Sequence, residues 1–323
     1  MLNTSDHTFC IAPMMDWTDR HERVFLRLFS GKSMLYTEMI TSAALIHGNA
    51  ANLLMHSPEE YPLAIQIGGS NPEELAIASR LAEDAGFSEI NLNIGCPSDR
   101  VQSGRFGACL MSEPVLVAQC VTGIADAVSL PVTVKCRIGI NDVDTDEALE
   151  GFISTVAGGG CQLFIIHARI ALLEGLSPKQ NREIPPLNYQ RVFNMKRQFP
   201  DLSIILNGGI TDLTQGSKLL DKVDGIMVGR EAYQNPFTLS QVDNLFFCEP
   251  VTNKSRLQYL QAYLPYMRFE LQRGTPLHHM TRHILGLFRG VNGGKNFRRH
   301  LSEHSTKSDA TLNVLFDAMA YVS

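Results

Sequence analysis

Short apolar stretches alternate with longer amphipathic stretches along roughly the first 240 residues of the chain. Eight of the short stretches are rich in β-branched and other apolar residues, which predicts β-strands. They span residues 8–14, 34–39, 63–68, 89–95, 131–138, 163–168, 202–207 and 225–229. Helical periodicity separates most of them, at 72–85, 114–128, 145–157, 188–199 and 212–222. Eight strand–helix repeats predict an α/β protein with the architecture of a (β/α)8 TIM barrel.

The sequence also distinguishes the barrel from the main alternative architecture, a doubly wound α/β sheet. A doubly wound sheet would usually carry a G-x-G-x-x-G motif after its first strand. This chain has neither that motif nor a P-loop. The barrel is therefore the favoured architecture.

The strand pattern ends near residue 250. Apolar residues then recur every three or four positions over 257–271 and again over 312–322, which predicts amphipathic helices. The segment 240–253 is the predicted junction. We therefore expect a barrel domain over residues 1–245 and a small all-α domain over residues 246–323.

Composition and cysteine usage narrow the class of protein. The chain has 323 residues, of which 44% are hydrophobic, and this excludes a wholly disordered chain. No apolar run approaches 18 residues and the first ten residues lack a signal-peptide pattern, so we expect no membrane span and no secretory signal. Seven cysteines without a C-x-x-C pair argue against a disulfide framework or zinc site. These features predict a cytoplasmic protein, which we expect to be monomeric.

Charge is distributed unevenly along the chain. The net charge is −5, but residues 1–250 carry 18 Lys and Arg against 29 Asp and Glu. Residues 251–323 carry 10 against 4, a balance of +6. A basic appendage on an acidic body favours a polyanionic partner, although an ordinary solvated helix face fits the charge count equally well.

Two short segments of the basic region carry candidate chemistry. Residues 293–301, which include Lys295, Arg298 and Arg299, place three cations beside a phenylalanine, a pattern typical of phosphate contact. His279 and His283 have the i, i+4 spacing of a zinc-binding pair. No glutamate follows the first histidine and no third ligand is evident, so we expect a basic helix face and no metal.

The richest candidate chemistry lies where the predicted strands end, because the working residues of such barrels occupy the carboxyl ends of the strands. Lys135 and Arg137 are two residues apart in strand five, so they lie on the same face. Two neighbouring cations there require an anionic or electron-rich ligand. Glycines after strands seven and eight, with Arg230, suit a phosphate. Polar or small residues occupy these strand ends at Gln66, Asn93, Lys135, Arg137, His167, Arg169, Asn207, Gly208, Gly209, Gly229 and Arg230. This set predicts a ligand with a phosphate and a polar ring, such as flavin mononucleotide (FMN).

Cys96 differs from the other six cysteines. Gly95 and Pro97 flank it, so it lies on a sharp turn after strand four. The others lie in apolar or helical patterns typical of small buried residues, or in the junction segment. A loop thiol at a barrel mouth can act as a nucleophile or as a general acid.

These residues lie in motifs that resemble the tRNA-dihydrouridine synthase family, and within it the A subfamily. The resemblance covers essentially the whole chain, and its subfamily-specific part is GLSPKQNREIPP, which begins at residue 175. The other motifs are APMMDWTDRH (12–21), LYTEM (35–39), LAIQIGGS (63–70), NLNIGCPSDRVQSGRFGACLM (91–111), PVTVKCRIG (131–139), FIIHAR (164–169), ILNGGI (205–210), GIMVGREAYQNP (225–236), TRHILGLFRG (281–290) and FRRHLSE (297–303).

The resemblance implies a flavin-dependent reductase that converts uridine to 5,6-dihydrouridine in tRNA. It implies that NADPH reduces FMN, that hydride passes to C6 of a flipped-out uracil, and that a cysteine protonates C5. The subfamily implies the D-loop as the target, at position 20 and at 20a where present.

The resemblance also implies residue roles. Cys96 is the implied acid, and Asn93 the implied contact to the uracil. Lys135 is implied near the N1–C2 edge of the flavin and Gln66 as a hydrogen-bond partner of its ring. The implied ring-lining residues are Pro13, Met14 and Met15. The implied holders of the ribityl phosphate end are His167, Asn207, Gly208, Gly209, Gly229 and Arg230. The implied tRNA contacts are Lys179, Arg182, Lys295 and Arg298, to which we add Arg299.

Other readings of the same residues stay open at this point. A flavin barrel acting on a free pyrimidine, like dihydroorotate dehydrogenase, would explain the barrel mouth but would leave the basic region without a task. A tRNA-binding folding factor would use the basic region and need little catalysis. A Schiff-base aldolase would use Lys135 without flavin.

Overall fold

The computed structural model describes residues 6–322, and its centre is a barrel of eight parallel strands. The strands are β1 Phe9–Ile11, β2 Leu35–Thr41, β3 Leu63–Gly68, β4 Glu89–Ile94, β5 Val132–Arg137, β6 Leu163–His167, β7 Ser203–Asn207 and β8 Gly225–Val228. They pair in the order β1-β8-β7-β6-β5-β4-β3-β2. Met34 closes the barrel, because its N–H donates to Phe9 O and its carbonyl accepts from Ile11 N, each at 2.9 Å. The predicted fold class is therefore confirmed.

The first strand is shorter than the predicted 8–14. Ala12 N still donates to Val228 O at 2.8 Å. Pro13 follows and has no N–H with which to continue the ladder. The chain leaves the sheet there and turns into the barrel mouth, so residues predicted as strand become part of the cavity wall.

Helices surround the strands and then continue alone. The helices up to residue 247 are α1 Arg20–Arg27, α2 Ser42–His47, α3 Ala50–Leu53, α4 Pro72–Asp84, α5 Asp99–Ser103, α6 Pro114–Ala125, α7 Asp146–Gly158, α8 Tyr189–Gln198, α9 Leu213–Ser217, α10 Arg230–Gln234 and α11 Val242–Phe247. Four more follow: α12 Arg256–Gln272, α13 Leu277–Thr281, α14 Gly294–His304 and α15 Leu312–Met319. The helical character of the C-terminal region is as predicted. The proposed domain boundary at 245/246 lies within α11.

Local sequence explains where the helices begin. The side chain of Asn71 caps α4 by accepting from the N–H groups of Glu73 and Glu74, at 2.9 and 3.1 Å. The predicted helix 212–222 is only partly α-helical, since residues 218–221 form a 3-10 turn.

Aromatic packing anchors the C-terminal helices on α1 and on the residues that follow it. Tyr263 of α12 contacts Phe25 with ring centroids 5.1 Å apart, and Tyr259 stacks on Phe29 at 4.1 Å. Both tyrosines are fully buried, whereas the sequence pattern had indicated only Leu and Met positions for this face. Phe316 of α15, predicted to lie on an apolar stripe, is 42% exposed.

A buried polar cluster joins α1 to the segment after α13. Asp19 caps α1 and lies 3.0 Å from His283 Nε2, while His283 Nδ1 lies 3.3 Å from Glu22 Oε2. Glu22 and His283 are fully buried, and neither carboxylate oxygen of Glu22 has a hydrogen-bond partner. Burial and then the charge of Asp19 raise the pKa of Glu22 well above its usual value, and burial lowers the pKa of His283. In the range 6–322 no three His, Cys, Asp or Glu side chains are arranged to hold a metal ion.

We expect Glu22→Gln to stabilise the protein, and increasingly so above pH 5. Because the folded-state pKa of Glu22 is raised, its contribution to stability is full below the unfolded pKa and is lost as the pH rises toward the folded value. The amide avoids this loss, which we place at about 1–3 kcal/mol. Thermal unfolding from pH 5 to pH 8 measures the effect. A gain that is the same at both ends of the range would show that Glu22 does not titrate differently on folding.

No helix among the described residues is long and apolar enough to cross a membrane.

Candidate active site

A cavity of about 750 Å³ opens at the carboxyl ends of the strands, a volume typical of small-molecule sites. Most of the site residues predicted from the sequence line this cavity, and they come from seven of the eight strand ends and the loops that follow them. The predicted site residues that line it are Pro13, Met14, Met15, Gln66, Asn93, Cys96, Lys135, His167, Arg182, Asn207, Gly208, Gly209, Gly229 and Arg230.

Cys96 lies on a turn whose backbone is held from three sides. The Asn93 side-chain oxygen accepts from the N–H groups of Gly95 and Cys96, at 3.2 and 3.0 Å. The Cys96 carbonyl accepts from Ala108 N at 2.9 Å, and its thiol lies 3.5 Å from Ser98 Oγ. Among the cysteines of residues 6–322, Cys96 alone lines the cavity. The turn therefore presents one thiol to whatever ligand enters.

Two cations share this wall of the cavity, as their alternation along β5 predicted. Lys135 Nζ donates to Asn207 Oδ1 at 3.0 Å. Burial, reinforced by the nearby Arg137 guanidinium, lowers the pKa of Lys135 to about 8. Arg137 is buried and donates to the carbonyls of Gly95 and Asn181, at 3.1 and 3.0 Å. It thereby ties the Cys96 turn to the loop after β6.

The loops after β7 and β8 form a second part of the wall. Gly208 and Gly209 have φ angles of 118° and 70°, a region that favours glycine. His167 lies against Gly208, and burial lowers its pKa well below the usual value, so the ring is neutral near pH 7. Arg230 pairs with Glu183 at 2.6 Å at the rim. This wall offers backbone N–H groups and a guanidinium, which suits a phosphate.

We expect Gly208→Ala to distort this part of the cavity wall and to reduce ligand binding there. A Cβ there would lie 2.6 Å from His167 Cδ2, and the backbone conformation disfavours alanine. The combined cost to folding should be about 1–3 kcal/mol, and if the ligand is the flavin that the sequence predicts, the amount bound per chain should fall. Gly151→Ala is the matched control, since a Cβ at Gly151 in α7 meets nothing within 4 Å. Equal flavin content in the two purified variants would contradict this assignment.

The predicted tRNA contacts do not gather in one place. Arg182 lines the cavity rim, near Arg230. Lys179 is exposed outside the cavity. Lys295 and Arg299 are exposed on α14, and Arg298 is half-buried there. Two of the five thus lie in the loop after β6 and three lie on α14.

Several cavity residues escaped the sequence reasoning. Glu38 in β2, where the strand's register shifts between Tyr36 and Met39, lines the cavity together with Phe106 and Trp17. Trp17 stacks on Tyr233 with ring centroids 4.3 Å apart. The available signal for Glu38 was an acidic residue near the end of the strand predicted over 34–39. Phe106 and Trp17 lie on loops, where periodicity carries no information.

The fold and the site together define a class, a (β/α)8 barrel enzyme whose mouth suits a phosphorylated ring ligand and presents one thiol. The family model described as dihydrouridine synthase (Dus) matches residues 10–321. The chain belongs to the dihydrouridine synthase family.

Curated relatives match nearly the full length. The chain is 54% identical over 318 residues to the tRNA-dihydrouridine(20/20a) synthase of Shewanella oneidensis, covering 98% of this chain and 94% of that protein. Proteins of the same name from Vibrio cholerae and Escherichia coli K12 are also 54% identical, over 97% and 98% of this chain and 95% and 91% of their own lengths. A solved 2-naphthoyl-CoA reductase complex aligns with a TM-score of 0.57 at 12% identity, over 73% of this chain and 49% of that one. That last likeness concerns the fold alone.

Proposed function

We propose that this protein reduces uridine to 5,6-dihydrouridine at positions 20 and 20a of the tRNA D-loop, in the cytoplasm, with FMN as cofactor and NADPH as reductant. The observation that carries the proposal is the juxtaposition of Cys96 with the cationic and glycine-lined wall in one cavity. The names of the relatives supply the substrate.

The cavity residues fit FMN. Lys135 would face the electron-rich edge of the ring, and Gln66 would donate to it. Pro13, Met14 and Met15 would lie along the ring. The phosphate end would be held by His167, Asn207, Gly208, Gly209, Gly229 and Arg230. FMN supplies, when bound, the hydride that a protein side chain cannot provide.

Cys96 would supply the proton. Its thiol must stay protonated until the base is in place and then donate to C5, which is general acid catalysis. Asn93 and Arg137 hold the backbone of its turn, so the thiol needs little rearrangement. Asn93 would also contact the target uracil through its remaining amide hydrogen.

Binding of tRNA would use the surface from Lys179 and Arg182 to Lys295, Arg298 and Arg299. Flipping a base out of folded RNA costs a few kcal/mol. Phosphate contacts from a spread of cations can offset that cost, and they make binding salt-dependent.

The test is in vitro reduction of an unmodified tRNA transcript that carries uridine at 20 and 20a. We expect NADPH-dependent dihydrouridine at these positions, and none when both are replaced by cytidine. Reduction of free uracil or oxidation of dihydroorotate at comparable rates, with no product in tRNA, would instead favour an enzyme of free pyrimidines.

A further inference from the structure

The barrel interior contains an uninterrupted hydrogen-bond chain that ends at the Cys96 turn. Thr133 Oγ1 donates to Glu89 Oε1 at 2.6 Å, and Asn91 Nδ2 donates to Thr133 Oγ1 at 2.8 Å. Gln66 Nε2 donates to Asn91 Oδ1 and Asn93 Nδ2 donates to Gln66 Oε1, both at 2.8 Å. The interior of such barrels is ordinarily packed with branched apolar side chains. A polar chain through this core therefore requires an explanation.

In this hydrogen-bond chain the donor and acceptor of each bond are fixed by the groups at its two ends. At its upper end the backbone N–H groups of Gly95 and Cys96 can only donate, so the oxygen of Asn93 must accept. At its lower end Glu89 accepts from Thr133 Oγ1 and lies 2.6 Å from His7 Nε2. Every amide between these ends is oriented by both of them.

A fixed direction decides what the cavity offers to a ligand. Gln66 and Asn93 line the cavity, and each uses its oxygen and one amide hydrogen inside the chain. Each retains one N–H that it can donate to a ligand, and the Asn93 oxygen already accepts two hydrogen bonds. Ring ligands with carbonyl oxygens match this arrangement, as the flavin ring and uracil do. A reversed amide would place an acceptor there and repel the same ligands.

We propose that Glu89, Asn91 and Thr133 are positioning residues, which fix Gln66 and Asn93 as donors toward the cavity and hold the backbone of the Cys96 turn. They are 0%, 0% and 2% exposed and lie outside the set of cavity-lining residues, so they act through their neighbours. The inference rests on the proposed function, but it makes a claim about the turn that can be tested without it.

Thr133→Val breaks the chain with little change of shape, and Thr133→Ser keeps the hydroxyl. We expect hydrogen exchange of the Gly95 and Cys96 amides, measured by mass spectrometry, to rise about tenfold or more in Thr133→Val and to stay unchanged in Thr133→Ser. In the holoenzyme, single-turnover reduction of tRNA uridine should fall about 10- to 100-fold in Thr133→Val, because small misplacements at a reacting centre are costly. Ile205→Val, an apolar change in the same barrel interior, should leave both readouts unchanged.

The outcomes are distinguishable. Unchanged hydrogen exchange at the Cys96 turn in Thr133→Val would overturn the inference. Faster hydrogen exchange together with a wild-type rate of uridine reduction would also overturn it. Failure of the wild-type protein to reduce uridine in tRNA would contradict the proposed function. The hydrogen-exchange result would then still test whether the hydrogen-bond chain holds the Cys96 turn. If Thr133→Val does not fold, Asn91→Leu can be used in its place, because it removes the hydrogen bonds of Asn91 to Thr133 and Gln66. We expect the same changes in hydrogen exchange and in uridine reduction.

Discussion

Replacing Cys96 with alanine should abolish most of the uridine reduction while leaving the flavin in place. Cys96 lines the cavity, and its proposed role is to donate one proton. Loss of a general acid typically slows a reaction about 10²- to 10⁴-fold. We therefore expect the single-turnover rate with tRNA to fall by that factor, with flavin per chain and reduction by NADPH unchanged.

The matched control is Cys248→Ser, since Cys248 is exposed and lies outside the cavity. It should behave as the wild type in every step. A Cys96→Ala variant that reduces uridine at the wild-type rate would remove Cys96 as the acid and leave the site without its proposed proton donor.

Lys135→Met should weaken flavin binding and at the same time stabilise the protein without flavin. A charge-assisted contact contributes about 1.5–3 kcal/mol, so the Kd for FMN should rise about 10- to 100-fold. Since the pKa of Lys135 is about 8, wild-type affinity for this anionic ligand should fall as the pH rises through 8. The variant should lose that pH dependence, which titration of flavin fluorescence would reveal.

The sign of the stability change follows from the same pKa. In the folded protein Lys135 loses its proton near pH 8, whereas in the unfolded chain it does so near 10.5. Stability of the flavin-free wild type should therefore rise between these values. Lys135→Met should melt at a higher temperature at pH 7, and its advantage should shrink toward pH 10.5. The exposed Lys222→Met variant serves as a control; if its Kd and melting changes equalled those of Lys135→Met, the effect would not belong to the cavity.

The strands and the mouth residues could be predicted from the sequence because both depend on short-range patterns. A strand buried on both faces reads as a continuous apolar run, and a polar residue at its end marks the barrel mouth. The same burial hides which face each residue takes. Thr133 and Asn91 stand in apolar strands, and the pattern does not say that they face inward and meet Glu89.

The remaining misses have similar causes. Tyr259 and Tyr263 were absent from the predicted stripe because tyrosine carries a polar hydroxyl, although their rings pack on Phe29 and Phe25. The buried carboxylate of Glu22, which has no hydrogen-bond partner, could not be anticipated, since its neighbour His283 lies far away in the chain. Arg182 stays a predicted tRNA contact, and the sequence pattern did not show that the loop after β6 would place it on the cavity rim.

Site-by-site mapping of dihydrouridine in tRNA, from cells with and without a functional copy of this protein, tests the central claim most directly. We predict that dihydrouridine disappears from positions 20 and 20a when the protein is absent, while other dihydrouridine positions persist. Restoring the wild-type protein should return the modification, and restoring Cys96→Ala should not. An unchanged map in cells without the protein would contradict the account.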